Sequence, residues 1–194
     1  MHVFLETDRL VLRRFTMADA GLLTDLDADP DVMRFVTGGV PTSREQIETD
    51  FLPAFLSYYR RYQGYGFWAA IEKSTGDFLG WFHFRPPPGA AEDHAELGYR
   101  LRRSAWGRGY ATEGSRALIR RGFTEFGVQV VTAEADPANA ASRRVMEKAG
   151  LTLVRTFRLP GSDGSDGEEM DAVEYALTKA DWLGQAGVSP RSAP

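Results

Sequence analysis

Short runs of alternating apolar and polar residues punctuate this chain, separated by stretches in which apolar residues recur every three or four positions. Leu10 and Leu12 alternate within Arg9 to Phe15 and predict a first strand. Thr16 with Asp19 three residues on reads as a capping-box start for a helix carrying Leu22, Leu23 and Leu26, which Asp29-Pro30 should end. Ser43 with Gln46 opens a second helix with Ile47, Phe51, Phe55 and Tyr59 on one face; Pro53 should kink it or shift its start. Phe67 to Glu72 and Asp77 to Phe84 read as strands joined across Ser74-Thr75-Gly76. After the loop beginning Pro86-Pro87-Pro88-Gly89, Ala95 to Leu101 alternates again, with Leu97, Tyr99 and Leu101 on one face and Glu96, Gly98 and Arg100 on the other.

The second half mixes the two periods. Tyr110 to about Phe123 is predicted helical, with Ala111, Leu118 and Ile119 inward. Gln129 to Ala135 is a strand stopped by Pro137, and Ala138 to Ala149 is a helix ended by Gly150. Leu151 to Arg158 and Met170 to Leu177 are the last strands, separated by the acidic loop from Gly161 to Gly167. There is no internal repeat and no linker. The pattern predicts one mixed α/β domain over residues 1–183, largely antiparallel in its first half, and a disordered Gly-, Ser- and Pro-rich tail over 184–194.

Composition narrows the chemistry. Of 194 residues, 43% are hydrophobic and 26% charged, an ordinary globular balance. A net charge of −4 gives no reason to expect nucleic-acid binding. No apolar run approaches the ~20 residues of a membrane span, and the N-terminus lacks the basic and apolar regions of a secretory signal, so the chain reads as cytoplasmic. The absence of cysteine excludes disulfides, thiolate-zinc sites and cysteine nucleophiles. His2, His83 and His94 form no His-Glu-x-x-His pair, so no metal is expected.

The informative segment is Trp106-Gly107-Arg108-Gly109-Tyr110-Ala111, a glycine loop between a strand and a helix. The first turn of a helix presents N–H groups without intrahelical acceptors and partial positive charge, and glycines let a phosphate approach them. The loop alone fits several phosphate binders, or a plain structural turn. It is not a Walker A loop, and Thr112 occupies the third glycine position of a dinucleotide fingerprint.

The flanking residues narrow this. Ala95-Glu96-Leu97-Gly98-Tyr99-Arg100-Leu101 followed by Trp106 to Glu113, and then Asn139-Ala140-Ala141-Ser142-Arg143-Arg144-Val145-Met146-Glu147-Lys148-Ala149-Gly150-Leu151, resemble the acetyl-CoA-binding core of the GNAT N-acetyltransferase superfamily. The opening block, Thr7-Asp8-Arg9-Leu10-Val11-Leu12-Arg13 and then Asp29 to Arg34, resembles the branch containing ribosomal-protein N-terminal acetyltransferases. The resemblance implies a central sheet of about six or seven mostly antiparallel strands with helices on both faces, and a V-shaped opening between the strands at Ala95–Leu101 and Gln129–Ala135. It implies pantetheine along backbone near Leu101 and Arg102 and at Asn139, and pyrophosphate on Gly107, Gly109, Tyr110 and Ala111, with Arg108 and Thr112 adjoining. Arg102, Arg103, Arg108, Arg143 and Arg144 are candidates for the 3′-phosphate. Ser104 departs from the Gln or Arg often found three residues before the loop.

For catalysis the resemblance implies direct attack of an amine on the thioester of acetyl-CoA. Glu96 is the candidate base, directly or through water, with His94 as the alternative. Met146 stands where many relatives carry an acidic tyrosine, so Ser142 is left to position the cofactor or the departing sulfur. The oxyanion donor is expected to be a backbone N–H near Leu101 or Arg102. The acceptor is a peptide N-terminal α-amine or a small-molecule amine. Phe51, Phe55, Tyr58, Tyr59, Tyr62, Phe67 and Trp68 are candidates for its pocket or for core, and the acidic loop could attract a cation. A nicotinamide oxidoreductase lacks the parallel βαβ series it would need, and a non-catalytic acyl-CoA sensor is the remaining alternative. Monomer and homodimer both remain open.

Overall fold

The computed structural model describes residues 2–160 and 169–185. Eight strands form one sheet: β1 (Val3–Glu6), β2 (Leu10–Arg14), β3 (Gly66–Glu72), β4 (Phe78–Arg85), β5 (His94–Leu101), β6 (Val130–Ala135), β7 (Thr152–Pro160) and β8 (Glu169–Thr178). Their order is β1-β2-β3-β4-β5-β6-β8-β7, antiparallel throughout except for the parallel pair β5/β6. The expected six or seven strands are thus eight. The added one is β1, an edge strand held by pairing to β2 and by the Phe4 ring, which stacks on Trp68 at 3.6 Å.

The helices depart from expectation mostly at their ends. The Thr16/Asp19 box sits on a single 3-10 turn, Met17–Asp19, with the Asp19 carboxylate accepting the Thr16 N–H at 2.8 Å; α1 (Ala20–Asp27) follows. Asp29-Pro30 ends α1 but also starts a new helix. Asp29 caps α2 (Pro30–Met33), because proline at the first helical position removes an N–H that would have no partner there. The second predicted helix begins as expected, with Ser43 Oγ accepting the Gln46 N–H at 3.1 Å in α3 (Arg44–Gln46). It then widens into one π-turn, Ile47–Phe51, before α4 (Leu52–Arg61). Pro53 therefore falls just after the π-turn, within a continuous helical run, and the widening that lets Leu52 N–H donate to Ile47 O accommodates the proline's missing N–H. α5 (Tyr110–Glu125) and α6 (Ala140–Lys148) flank β6, and α7 (Lys179–Gln185) takes in Gly184 and Gln185, the first two positions assigned to the tail. The acidic loop and positions 186–194 lie outside the described residues.

The sheet separates two cores. On one side α5 and α6 cover Trp68, Phe82, Phe84, Leu97 and Val131. Gly114 and Gly122 bring α5 down onto the sheet, since a Cβ at either would overlap the Phe82 or Phe84 ring. On the other side α1, α3, the π-turn and α4 cover a smaller set that includes Phe15, Leu23, Leu26, Ile47, Phe55 and Ala69. Strand alternation sends Leu97, Tyr99 and Leu101 of β5 to the larger core and Glu96, Gly98 and Arg100 to the smaller.

Candidate active site

The only parallel pair among the described strands is also where the sheet opens. β5 and β6 pair at His94↔Val130, Ala95↔Val131 and Glu96↔Thr132, and no further. Beyond Glu96 and Thr132 the two strands continue unpaired to Leu101 and Ala135. Backbone polar groups exposed in such a gap need partners from a ligand or from water. Arg102 N–H is not among them, because it donates to Leu79 O at 2.8 Å across β4. That removes Arg102 from the expected oxyanion donors. Alternation then aims the Leu101 N–H away from β4, toward the opening. Leu101 O is occupied by the Trp106 indole N–H at 2.8 Å, which also turns Trp106 back over the strand end.

The glycine loop lies at the wide end of the gap. Gly107 and Gly109 have φ of +70° and +84°, a region that favours glycine. A Cβ at Gly107 would meet nothing within 4 Å, so its conformation and not crowding is what calls for glycine. The first intrahelical acceptance is by Gly109 O, from Glu113 N–H at 3.0 Å. The N–H groups of Tyr110, Ala111 and Thr112 therefore have no partner within the helix. Unclaimed donors, an open loop and the positive end of a 16-residue helix fit a pyrophosphate.

Side chains hold this loop from behind. Tyr110 is 2% exposed, and its hydroxyl donates to the Glu72 carboxylate. The guanidinium groups of Arg9 and Arg108 lie over the Tyr110 ring at 4.4 and 5.0 Å. Arg108 also reaches Glu72 at 3.2 Å, and Arg9 donates to Arg108 O at 2.9 Å. Glu113 accepts from Thr7 Oγ1, Arg9 N–H and Arg9 Nε at 2.6–2.9 Å, so the β1–β2 turn is tied to the first turn of α5. Arg103 is held by Asp29 and Asp31, each at 2.7 Å, and Arg143 donates to the Tyr175 hydroxyl at 3.0 Å and to Pro137 O at 3.2 Å. Arg102 lies over Phe78, 4.0 Å from Asp25. Of the five arginine candidates, Arg144 alone makes no ion pair or hydrogen bond among the described residues, and it is exposed.

The far wall of the gap is the start of α6. Asn139 caps that helix, its Oδ1 accepting the Ser142 N–H at 3.0 Å, which leaves the amide nitrogen for another partner. Ser142 Oγ lies 3.0 Å from the Tyr99 hydroxyl, and Ser142 O lies 3.1 Å from it. Tyr99 reaches this helix from β5 and so bridges the two walls. Burial pushes its phenol up to about 12, which keeps it protonated at any physiological pH. Met146, by contrast, is 2% exposed and belongs to the larger core.

On the opposite face of β5, Glu96 lies 3.3 Å from His83 Nε2 and 3.0 Å from the Arg85 guanidinium. Burial alone would raise the Glu96 carboxyl, but the His83 ring and Arg85 more than offset it and hold it below the ordinary glutamate value. Burial keeps His83 below its own ordinary value despite the carboxylate beside it. His94, the alternative base, has its Nε2 3.0 Å from Thr132 Oγ1. Further along the same face, Arg100 pairs with Asp27 at 2.7 Å. Trp81, Phe67, Phe55 and Phe51 line a cavity between the sheet and the helices. Of the aromatic set expected for a pocket, Phe51, Phe55 and Phe67 are here, while Trp68 is fully buried in the larger core with Tyr59 and Tyr62 packed against it. Sequence reasoning missed Trp81, His83, Asp27 and Tyr99, whose roles come from cross-strand register and not from local pattern.

Chemically, the gap offers a carboxylate on one face, a hydroxyl pair on the other, an unclaimed N–H between them and an anion site at its end. Comparison with known proteins agrees. A sequence profile described as "Acetyltransferase (GNAT) domain" matches residues 9–152. The FsC-acetyl coenzyme A-N(2)-transacetylase of Aspergillus fumigatus is 34% identical over 180 residues, covering 88% of this chain and 71% of that protein. A GNAT-family acetyltransferase from Bacillus anthracis superposes with a TM-score of 0.73 at 26% identity, covering 93% of this chain and 99% of that one. A ribosomal L7/L12 α-N-protein acetyltransferase in complex with coenzyme A superposes with a TM-score of 0.73 at 18% identity, covering 91% and 98%, which speaks to the fold.

Proposed function

Because the chain belongs to the GNAT acetyltransferase family, we propose that it moves an acetyl group from acetyl-CoA directly to a primary amine, either a peptide N-terminal α-amine or a small-molecule amine. One observation carries the reading. The parallel pair opens immediately past Glu96, with Glu96 on one face and Asn139 and Ser142 at the other wall. The name of the 34%-identical relative, an N(2)-transacetylase, supports a nitrogen acceptor.

Acetyl-CoA supplies the thioester carbonyl. The N–H groups of Tyr110, Ala111 and Thr112 bind its pyrophosphate, and the Asn139 amide nitrogen binds its pantetheine arm. The amine nitrogen attacks the carbonyl carbon, and the Leu101 N–H stabilises the oxyanion that forms. Glu96, held anionic, is too weak a base to deprotonate a free ammonium, whose pKa is about 8 for an α-amine and about 10.4 for lysine. It takes the proton, through water, once the new N–C bond has made that proton acidic. An α-amine is more often neutral beforehand and therefore suits this base better. As the C–S bond breaks, the Ser142 hydroxyl donates a hydrogen bond to the leaving thiolate.

Thiol release from acetyl-CoA tests the reading cleanly. The protein contains no cysteine, so a thiol reagent reports liberated CoA alone. Amine-dependent release is expected across a panel of peptides and small amines. Binding of CoA with no release from any of them would instead identify an acyl-CoA sensor.

A further inference from the structure

The smaller core is not filled. A cavity of about 140 Å³ lies between the sheet and its helical cover, walled by Leu23, Phe51, Phe55, Phe67 and Trp81, with the Asp27–Arg100 pair at one side. The rings around it are packed on each other, with Phe55 stacked on Phe67 at 3.8 Å and Trp81 6.0 Å from Phe55. Phe51, Phe67 and Trp81 beside it are each only half-buried. The two charges in the wall neutralise each other at 2.7 Å, and the Arg100 guanidinium lies over Trp81 at 5.1 Å. The cavity therefore presents apolar aromatic surface and no unpaired charge. An apolar cavity of about this volume holds a benzene ring.

The position of the cavity gives it a use. Arg85, His83 and Trp81 lie directly across from Glu96, Gly98 and Arg100. The His83 ring occupies the space that a Gly98 side chain would need. His83 is 3.3 Å from Glu96 on one side, and 5.4 and 5.9 Å from the Phe67 and Trp81 rings on the other. A continuous floor thus runs from the carboxylate, across one imidazole, to the cavity wall. We propose that this cavity is the acceptor's side-group pocket, and that the preferred acceptor is a primary amine carrying one neutral, phenyl-sized apolar group. This rests on the acetyl-transfer reading for the place of the amine beside Glu96. Both a free arylalkylamine and a peptide with an apolar first residue present that chemistry.

The test compares kcat/KM at saturating acetyl-CoA for 2-phenylethylamine against propylamine, and for phenylalanyl-glycyl-glycine against seryl-glycyl-glycine. The apolar member of at least one pair is expected to be favoured by about tenfold or more. Which pair shows the preference separates a small-molecule acceptor from a peptide. Leu23→Phe, which fills the cavity from α1, is expected to erase that preference. Equal use of both members of each pair by the unmodified protein would overturn the pocket while leaving acetyl transfer intact. A preference that survives Leu23→Phe in a folded variant would overturn it too, by placing the selectivity elsewhere. Should Leu23→Phe fail to fold, the amine pairs on the unmodified protein decide. If no amine releases thiol, the acetyl-transfer reading fails. The pocket is then judged by calorimetric titration with 2-phenylethylamine, and absence of binding overturns it.

Discussion

The two faces of this sheet are built on opposite rules. The face under α5 and α6 is closed: Trp68, Phe82, Phe84 and Phe123 are at most 1% exposed, and glycines in α5 bring backbone against ring. Both faces have half-buried rings at their margins, but the face under α1 and α4 also carries a cavity, and charged groups such as Glu96, Arg85, Arg100 and Asp27. On the proposed function, the closed face fixes a helix whose backbone N–H groups must stand at one place, since a phosphate cradle made of backbone has no side chain to adjust. On the same proposal, the open face meets the acceptor with side chains and can tolerate looser packing. One strand, β5, contributes to both through simple alternation.

The largest expected effect separates the faces by chemistry. Glu96→Gln is expected to lower kcat by about 10²–10⁴-fold with the KM for acetyl-CoA little changed. Its melting temperature should fall modestly, because the variant leaves the largely buried Arg85 and His83 without their carboxylate partner, so kcat is compared on protein shown to be folded. A normal kcat across pH 6–9 would remove Glu96 as the base and, with it, the assignment of chemistry to the open face. Packing gives the next test. Phe82→Ala on the closed face is expected to cost about 3–5 kcal/mol by chemical denaturation, and Phe51→Ala beside the cavity only about 1–2 kcal/mol. Equal costs would mean that the two cores are alike and that the cavity is a minor void.

How far the sequence alone reveals these faces can be seen residue by residue. The alternation in Ala95 to Leu101 assigns Glu96 and Tyr99 to opposite sides correctly, because a period of two is a local property. Gly107 and Gly109 were legible for the same reason. Asp29-Pro30 misled only in part: a proline that ends one helix is equally suited to begin the next. β1 was invisible because a four-residue edge strand has too little pattern of its own. The cavity was the hardest feature. Trp81 sits across from Arg100, and Phe67 across from His83, through strand register that no local spacing encodes. The same non-locality made Trp68 and Phe67, neighbours in sequence, look equally suited to a pocket when they face opposite cores.

Acid sensitivity offers a third comparison, of smaller size. His83 is held below its ordinary value by burial, whereas the unfolded chain takes up that proton at about pH 6.5. The unfolded state therefore binds more protons between those two values, and stability contributed by neutral His83 is lost as pH falls below about 6.5. Glu96 is depressed as well, so its contribution is present above about pH 4.3 and disappears only lower still. Denaturation midpoints measured from pH 7 down to 5 should thus decline less steeply in His83→Phe. An unchanged slope would show that the loss arises on some other element.

The smallest expected effect concerns the residue that joins the closed face to the chemistry. Tyr99 has one hydroxyl proton and two acceptors within 3.1 Å, Ser142 O and Ser142 Oγ. If it donates to Oγ, the serine proton is free to point into the gap, toward the departing sulfur. If it donates to the carbonyl, the serine proton turns back to the phenol and the gap sees only lone pairs. On the proposed mechanism Tyr99 is a positioning residue, since with its phenol pushed up to about 12 it gives up no proton of its own. Tyr99→Phe removes this control and leaves the aromatic packing nearly intact. A neutral hydrogen bond is worth about 0.5–1.5 kcal/mol, so kcat should fall by roughly 2–10-fold, with KM for acetyl-CoA changed less. A merely structural role would lower the melting temperature and leave kcat alone. The decisive comparison is the double variant. In a Ser142→Ala background the Tyr99→Phe effect on kcat should vanish, since there is no hydroxyl left to orient. Additive losses would instead show that Tyr99 and Ser142 act separately.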